Sequence, residues 1–288
     1  MGRRWMKGAA TAGGVTVGAM AVAAIGVARW NRATARMVDR LTSTARSADE
    51  IPETFSLDQL TGVPAPVARY FALALTPGQP LIRRARVRWE GEFRSAPNAG
   101  WKGFTALQHF TVWPPGFVWD ATIQMMPLIP VRVRDGYVGG EGVILGKLAA
   151  LIPVADQRGT PEMAAGALSR YLGEAIWMPT ALLPTAGVSW AAVDDTTARA
   201  TLTDGATTVS ADFHFAPTGE IVGMSMTRYR DVNGRGEPTP FEARLRGGYR
   251  RVAGMMIPVE GEVAWLLPEG RFAYWRGRPV HIEYDPSR

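Results

Sequence analysis

The chain of 288 residues has no cysteine and only three histidines. Without cysteine there is no disulfide to report on redox compartment, and no lipobox thiol to carry a lipid. Metal-ligand spacing is missing too: there is no CxxC and no HxxxH. His109, His214 and His281 each fall in a predicted strand, and Glu283 is the nearest carboxylate that could complete an imidazole–carboxylate set. Strand histidines among polar neighbours read better as solvated or hydrogen-bonded side chains, so neither a metal nor a cofactor is expected.

Other catalytic signatures are equally scarce. Ser210, Asp212 and His214 share one face of a predicted strand. Same-face neighbours on a strand stand roughly 6.6–7 Å apart, whereas proton transfer needs about 2.6–3.2 Å. No GxSxG elbow exposes a serine. Glu90 with Glu92 and Glu260 with Glu262 alternate on single strands, as wet faces do, whereas glycosidase acids flank a bond from two sides. Gly139-Gly-Glu-Gly142 lacks the lysine of a phosphate loop and reads as a turn. The expectation is a protein that is not an enzyme.

Charge is unevenly spread. The chain carries +6 overall. Residues 1–50 hold eight Lys/Arg and three Asp/Glu, a net +5; the remainder holds 24 positive and 23 negative residues, a net +1. A nucleic-acid binder carries its basic stripe on the folded domain, so nucleic acid is excluded as a partner.

What the sequence does have is a leader. Arg3, Arg4 and Lys7 precede an uncharged run from Gly8 to Ala28, closed by Arg29. Its 21 residues at ~1.5 Å each span roughly 31 Å, the thickness of a hydrocarbon core. An uncleaved membrane anchor is the first reading. A cleaved signal is the second, with Ala21-Val22-Ala23 as a small-residue site and Arg3-Arg4 loosely like a twin-arginine signal. Gly14 and Gly18 form a GxxxG pair, which permits close helix approach but arises readily in so Ala/Gly-rich a run. Arg29, Arg32, Arg36 and Arg40 follow, suited to anionic headgroups. Both flanks are basic, so orientation rests on the signal-like start: a single-pass protein of the cell membrane with its main part outside the cytoplasm.

The coarse elements come next. Trp30 to Ser47 suits a helix, a stalk or a surface helix with Met37, Val38 and Leu41 apolar, and Ala48 to Thr54 a linker. Ser56 and Gln59 match a capping box. Val67, Tyr70, Phe71, Ala74 and Leu75 make one helix face. The period then becomes two: Ala85, Val87, Trp89 and Phe93 lie on one face, arginines and glutamates on the other. Arg84, Arg86 and Arg88 form a stripe there, a solvated face or a headgroup contact. Strands follow over Phe104–Trp113 and Gly116–Gln124. Asp135-Gly136 reads as a two-residue hairpin turn. Val143 to Leu151 reads as a buried helix. Thr160-Pro161-Glu162 starts another, with Arg170 and Glu174 paired at i, i+4 and Pro179 and Pro184 stopping it. Alternating segments then run to Tyr284.

The predicted fold is α+β: a curved antiparallel sheet of about ten strands, a half-barrel packed on a few helices, with an N-terminal transmembrane helix. Residues 1–30 form the anchor, 31–54 a basic juxtamembrane helix and linker, and 55–288 a single domain.

Several segments carry a resemblance: Gly78-Gln-Pro-Leu-Ile-Arg-Arg84, Pro114-Pro-Gly-Phe-Val-Trp-Asp120, Val131-Arg-Val-Arg-Asp-Gly136, Tyr171-Leu172 with Glu174-Ala-Ile-Trp177 and Pro179-Thr-Ala-Leu-Leu-Pro184, and Gly261-Glu-Val-Ala-Trp-Leu-Leu-Pro268. Over about residues 55–285 the chain resembles an uncharacterised bacterial family of membrane-anchored proteins, which has no activity to transfer. More distantly its layout is similar to bacterial lipoprotein-carrier folds, with the long N-terminal helical region and the C-terminal aromatic segment as departures. That resemblance implies acyl chains held inside a half-barrel.

The apolar face is wide enough for such a role. Trp89, Phe110, Trp119, Trp177, Phe213, Phe215 and Trp265 are the expected ligand lining, and Met125-Met126 and Met255-Met256 add adaptable surface. The function expected is a membrane-tethered domain that binds membrane lipid or another hydrophobic small molecule. An envelope assembly protein with a closed core is the alternative, and a hydrolase assembled from distant residues the third.

Overall fold

The computed structural model describes residues 3–43, 52–126, 129–232 and 234–285, with side chains from residue 21 onward. Arg3, Arg4, Lys7, Gly14, Gly18 and most of the Gly8–Ala28 run therefore have side chains outside the described residues. So do the end of the predicted stalk and the start of the predicted linker. Among the described residues no helix is long and apolar enough to cross a membrane.

Thirteen strands form one antiparallel sheet among the described residues. The first half is β1 (Arg84–Phe93), β2 (Lys102–Thr111), β3 (Gly116–Met126), β4 (Ile129–Val138), β5 (Glu141–Leu148) and β6 (Ile152–Arg158). The second half is β7 (Val188–Ala192), β8 (Thr197–Asp204), β9 (Thr207–Phe215), β10 (Ile221–Val232), β11 (Arg235–Val252), β12 (Met255–Leu267) and β13 (Gly270–Tyr284). Their order is β6-β5-β4-β3-β2-β1-β13-β12-β11-β10-β9-β8-β7. Each half is a meander of consecutive hairpins. The halves are joined where β1 pairs with β13, from Ala85 opposite Tyr284 to Phe93 opposite Trp275. The sheet is not closed: β6 and β7 are its edges.

Alternation decides which face is inside. Ala85, Val87 and Trp89 are buried on β1, and Val209, Ala211, Phe213 and Phe215 on β9, as the period predicts. The outer face is a lattice of ion pairs. Arg276 meets Glu92 at 2.5 Å, Arg278 meets Glu90 at 3.5 Å, and Glu262 takes Arg246 at 3.0 Å and Arg271 at 2.8 Å. Arg86 of the arginine stripe is paired with Glu283.

Two helices fill the inner side. α2 (Ala65–Ala74) buries Val67, Tyr70, Phe71 and Ala74 against the sheet. α3 (Pro161–Glu174) links β6 to β7 beneath the concave face. It begins as predicted: Thr160 caps the Met163 amide, with Pro161 in the first turn and Glu162 as its acid. After Glu174 the chain makes three 3₁₀ turns, with Pro179 and Pro184 opening the second and third.

A third helix lies outside. α1 (Arg3–Ser43) packs its C-terminal half on the outer surface of β3 and β4. The Trp30 indole N–H donates to Asp120 (2.9 Å), and the Thr34 hydroxyl donates to the same carboxylate (2.8 Å). Arg134 donates to the Trp30 carbonyl (2.8 Å) and stacks over the Trp30 ring (4.2 Å). About two turns beyond Thr34, Leu41 is buried with Val118 and Val138. Arg29, Arg32, Arg36 and Arg40 remain exposed.

Three expectations are corrected. Val143 to Leu151 is not a helix: Glu141–Leu148 is β5, paired with β4 and β6. A short apolar run has no period that separates a buried helix from a buried strand, and the two neighbouring strands decide it. Asp135-Gly136 is not a turn but the interior of β4; the turn is Gly139-Gly140, both at positive φ. Gly136 is needed there because a Cβ would lie 2.5 Å from Met37 of α1 and 2.9 Å from the Phe117 carbonyl. Ser56 opens only a four-residue 3₁₀ turn and its hydroxyl caps nothing. So short a turn cannot close a box, and the Gln59 amide donates to the Thr54 carbonyl instead (3.1 Å).

Candidate functional site

The concave face has two unlike parts. One is packed solid by α2, the 3₁₀ turns and Phe55, Tyr70, Phe71, Leu182, Phe213 and Phe215. The other, between α3 and the inner faces of β3–β6 and β10–β13, encloses a cavity of about 1230 Å³. Drug-sized ligands occupy pockets of roughly 300–1,000 Å³, so this one has room for a long apolar molecule.

The cavity wall follows from the strand period. Trp119 and Ile123 point in from β3, Met224 and Met226 from β10, Phe241, Ala243 and Leu245 from β11, and Val263 and Trp265 from β12. Met125 and Met126 complete it at the β3–β4 end. α3 offers Gly166 and Ala167, and a Cβ on Gly166 would have nothing within 4 Å.

Five arginines are among the lining residues, and two of them, Arg170 and Arg228, lie over its aromatic rings. Arg170 is held by Asp135 (2.6 Å) and Glu174 (2.7 Å), and Gln108 donates to the second Glu174 oxygen (2.6 Å). Its guanidinium lies over Phe117 (5.0 Å) and Trp119 (4.9 Å). Burial opposes the Arg170 charge, but Glu174 and Asp135 outweigh it and hold the group protonated. The predicted Arg170–Glu174 pair thus exists, with Asp135 added from the next strand layer. Arg228 differs. It donates to the Gly166 carbonyl (2.9 Å) and lies over Phe241 (4.7 Å) and Trp265 (5.9 Å). The Arg228 Nε and the Trp119 Nε1 are buried donors with no hydrogen-bond partner among the described residues.

The seven expected lining residues divide. Trp119, Trp177 and Trp265 are on the cavity wall. Trp89 lies behind it, edge-on to Trp177 (4.9 Å) and Trp275 (5.8 Å). Phe110 packs on Phe117 and Tyr171, and Phe213 and Phe215 pack on Trp190, all within the solid part. The methionines at 224 and 226 line the cavity whereas Met255 is in the core. Arg228, Asp135 and the α3 glycine were not singled out from sequence as site residues; nothing local distinguishes an inward arginine on an alternating strand from an outward one.

The other chemical candidates are separated. His214 bonds to Ser225 (3.0 Å), Asp212 to Arg199 (2.7 Å) and Ser210 to Thr201 (2.8 Å), so that set is tied sideways across the sheet. His281 bonds to Glu283 (3.0 Å). His109 sits opposite Arg86, and burial together with that cation pushes its pKa down. Among the described residues no group of three or more potential ligands could hold a metal.

Three solved structures are similar in fold. A Vibrio parahaemolyticus domain named for outer membrane lipoprotein sorting is 7% identical, with 72% of this chain and 87% of that one covered and a TM-score of 0.39. A DUF1329 family protein from Desulfovibrio piger is 10% identical, with coverage of 72% and 88% and a TM-score of 0.40. A β-barrel-like protein of the DUF1849 domain of unknown function from Brucella abortus is 10% identical, with coverage of 72% and 99% and a TM-score of 0.28. No curated protein matches the sequence. The model of a family of unknown function, DUF6544, matches residues 53–277, and the chain belongs to that family.

Proposed function

We propose that this is a membrane-tethered, non-catalytic domain that takes up a lipid or similar hydrophobic molecule under the open part of its sheet. The observation that carries this reading is the cavity itself: about 1230 Å³, walled by tryptophan, methionine and aliphatic side chains. An acyl chain gains ~0.8 kcal/mol per buried methylene, so ten methylenes contribute roughly 8 kcal/mol before the costs of association. The unpartnered donors of Arg228 and Trp119 suit the carbonyl or headgroup oxygens of such a molecule. The tether is the uncharged run Gly8–Ala28, and Arg29 and Arg32 stand nearest to it for anionic headgroups. The signal-like leader favours the outer side of the cell membrane for the domain.

The test is lipid occupancy. Full-length protein purified in mild detergent should carry lipid in native mass spectra, and added fatty acid or phospholipid should shift its tryptophan fluorescence. Gly166→Phe should obstruct the cavity beside α3, suppress both signals and leave the melting temperature level or slightly higher. Absence of bound lipid together with an unresponsive spectrum would overturn the reading.

A further inference from the structure

We infer that the cavity rim formed by the β3–β4 and β5–β6 ends is a bilayer-docking surface, so that the cavity opens directly onto the membrane that holds α1. This rests on the tether proposed above. Met126 and Ile129 at the β3–β4 turn are exposed, as is Leu151 at the β5–β6 turn; Ile152 is 60% exposed and Val154 58%. Met126 and Val154 are also part of the cavity wall. Single exposed apolar side chains are ordinary. A cluster on two adjacent turns at the edge of an apolar cavity is a binding surface.

The neighbouring helix fixes what covers it. α1 runs up the outer face of β3 and β4 and meets this rim, where a Cβ on Gly26 would lie 2.9 Å from Leu151 Cγ. N-terminal to that contact the sequence is uncharged as far as Gly8; C-terminal to it the first charge is Arg29. Three residues of helix are about 4.5 Å. Leu151 therefore sits level with the boundary between the apolar run and its first arginine, which for a membrane helix is the boundary between acyl chains and headgroups. Val22 and Ile25 of α1 are exposed beside it and extend the same apolar surface. Trp30, Thr34, Asp120 and Arg134 clamp the helix to the sheet, so rim and helix keep one relative height. A lipid could then pass from bilayer to cavity without its chain crossing water.

The absence of native cysteine permits single-site labelling. Ile152→Cys and Leu57→Cys give matched probes: both positions are 60% exposed, but Leu57 lies near the opposite end of β1, beyond the Phe55–Gln79 contact. Full-length protein carrying an NBD fluorophore at either site would be placed in phosphatidylethanolamine–phosphatidylglycerol vesicles containing doxyl-labelled lipid. The Ile152 probe should be blue-shifted and quenched several-fold more than the Leu57 probe. Equal quenching at the two sites, or none at either, overturns the docking surface. Mass spectra of the same preparations separate the two ideas. Bound lipid without Ile152 quenching refutes docking while leaving the cavity reading intact; Ile152 quenching without bound lipid does the reverse.

Discussion

The two parts of the concave face are built from the same kind of strand and end in opposite states. Phe213 and Phe215 on β9 and Met224 and Met226 on the adjoining β10 obey one alternation, all pointing inward. Beneath β9 lies α3, joined at the Phe215 end by Tyr70 of α2, and the phenylalanines are buried against Trp190 and that tyrosine. Beneath the far half of β10 the same helix presents Gly166, and the space stays open. The difference teaches that an apolar strand face specifies an inside without specifying that the inside is full. Filling depends on whether another segment arrives to cover it.

This contrast can be broken most severely at the wall between the parts. Arg170→Met removes the cation that Asp135 and Glu174 share, leaving two half-buried carboxylates without it. Breaking a buried pair costs about 3–5 kcal/mol, and the lost stacking on Phe117 and Trp119 adds to it. Urea denaturation should show a loss at the top of that range. An unchanged midpoint would mean the carboxylates are solvated from the cavity.

Phe213→Ala tests the filled part. Truncating a phenylalanine there should cost about 3–4 kcal/mol, because a void opens among rigid neighbours. Met226→Ala on the open part should cost about 1 kcal/mol, since it widens a space that already exists. Similar losses at the two positions, measured by thermal melting, would erase the distinction. Trp119 belongs to both descriptions: it is buried on Phe104 yet faces the cavity. Its replacement by alanine should fall between the other two.

Gly166→Phe sharpens the comparison by narrowing the open part beside α3. Stability should stay level or rise by up to about 1 kcal/mol, because glycine is poor in helix interiors, while lipid uptake is lost. The smallest effect concerns the outer face. The His109 pKa is lowered by burial and Arg86, so the folded state resists protonation. Stability is unaffected above the unfolded histidine pKa and falls as pH drops through it, roughly from 7 to 5. His109→Gln should flatten that part of the pH–stability curve without touching lipid binding. An identical slope in the variant would assign the decline to carboxylates.

The legible part of the fold was the part encoded by neighbours in sequence. The period-two runs marked β1, β2, β3 and β9, and the Thr160-Pro161-Glu162 start of α3 was read from its cap alone. Val143 to Leu151 was not legible, because a short, mostly apolar run carries no decisive period and only pairing with β4 and β6 made its first part a strand. Asp135-Gly136 imitated a turn because its reasons for being Asp and Gly are distant: Arg170 on α3 and Met37 on α1. The apolar stripe of α1 was visible in Met37, Val38 and Leu41, but its docking partners, Val118 and Val138 on β3 and β4, lie far along the sequence.

For the site the division is similar. Sequence alone determined that a broad apolar and aromatic face exists, that methionines punctuate it, and that the longest uncharged run lies at the N-terminus. Tertiary structure decided which of those aromatics are core and which are wall: Trp119, Trp177 and Trp265 face the space, whereas Phe110, Phe213 and Phe215 do not. It also brought Arg228 inward over Phe241 and Trp265 and set α1 against the cavity rim at Gly26 and Leu151. The physical reason is that side-chain alternation is a property of neighbours along one strand. Enclosure is a property of the curled sheet and of whatever remote segment does, or does not, pack beneath it.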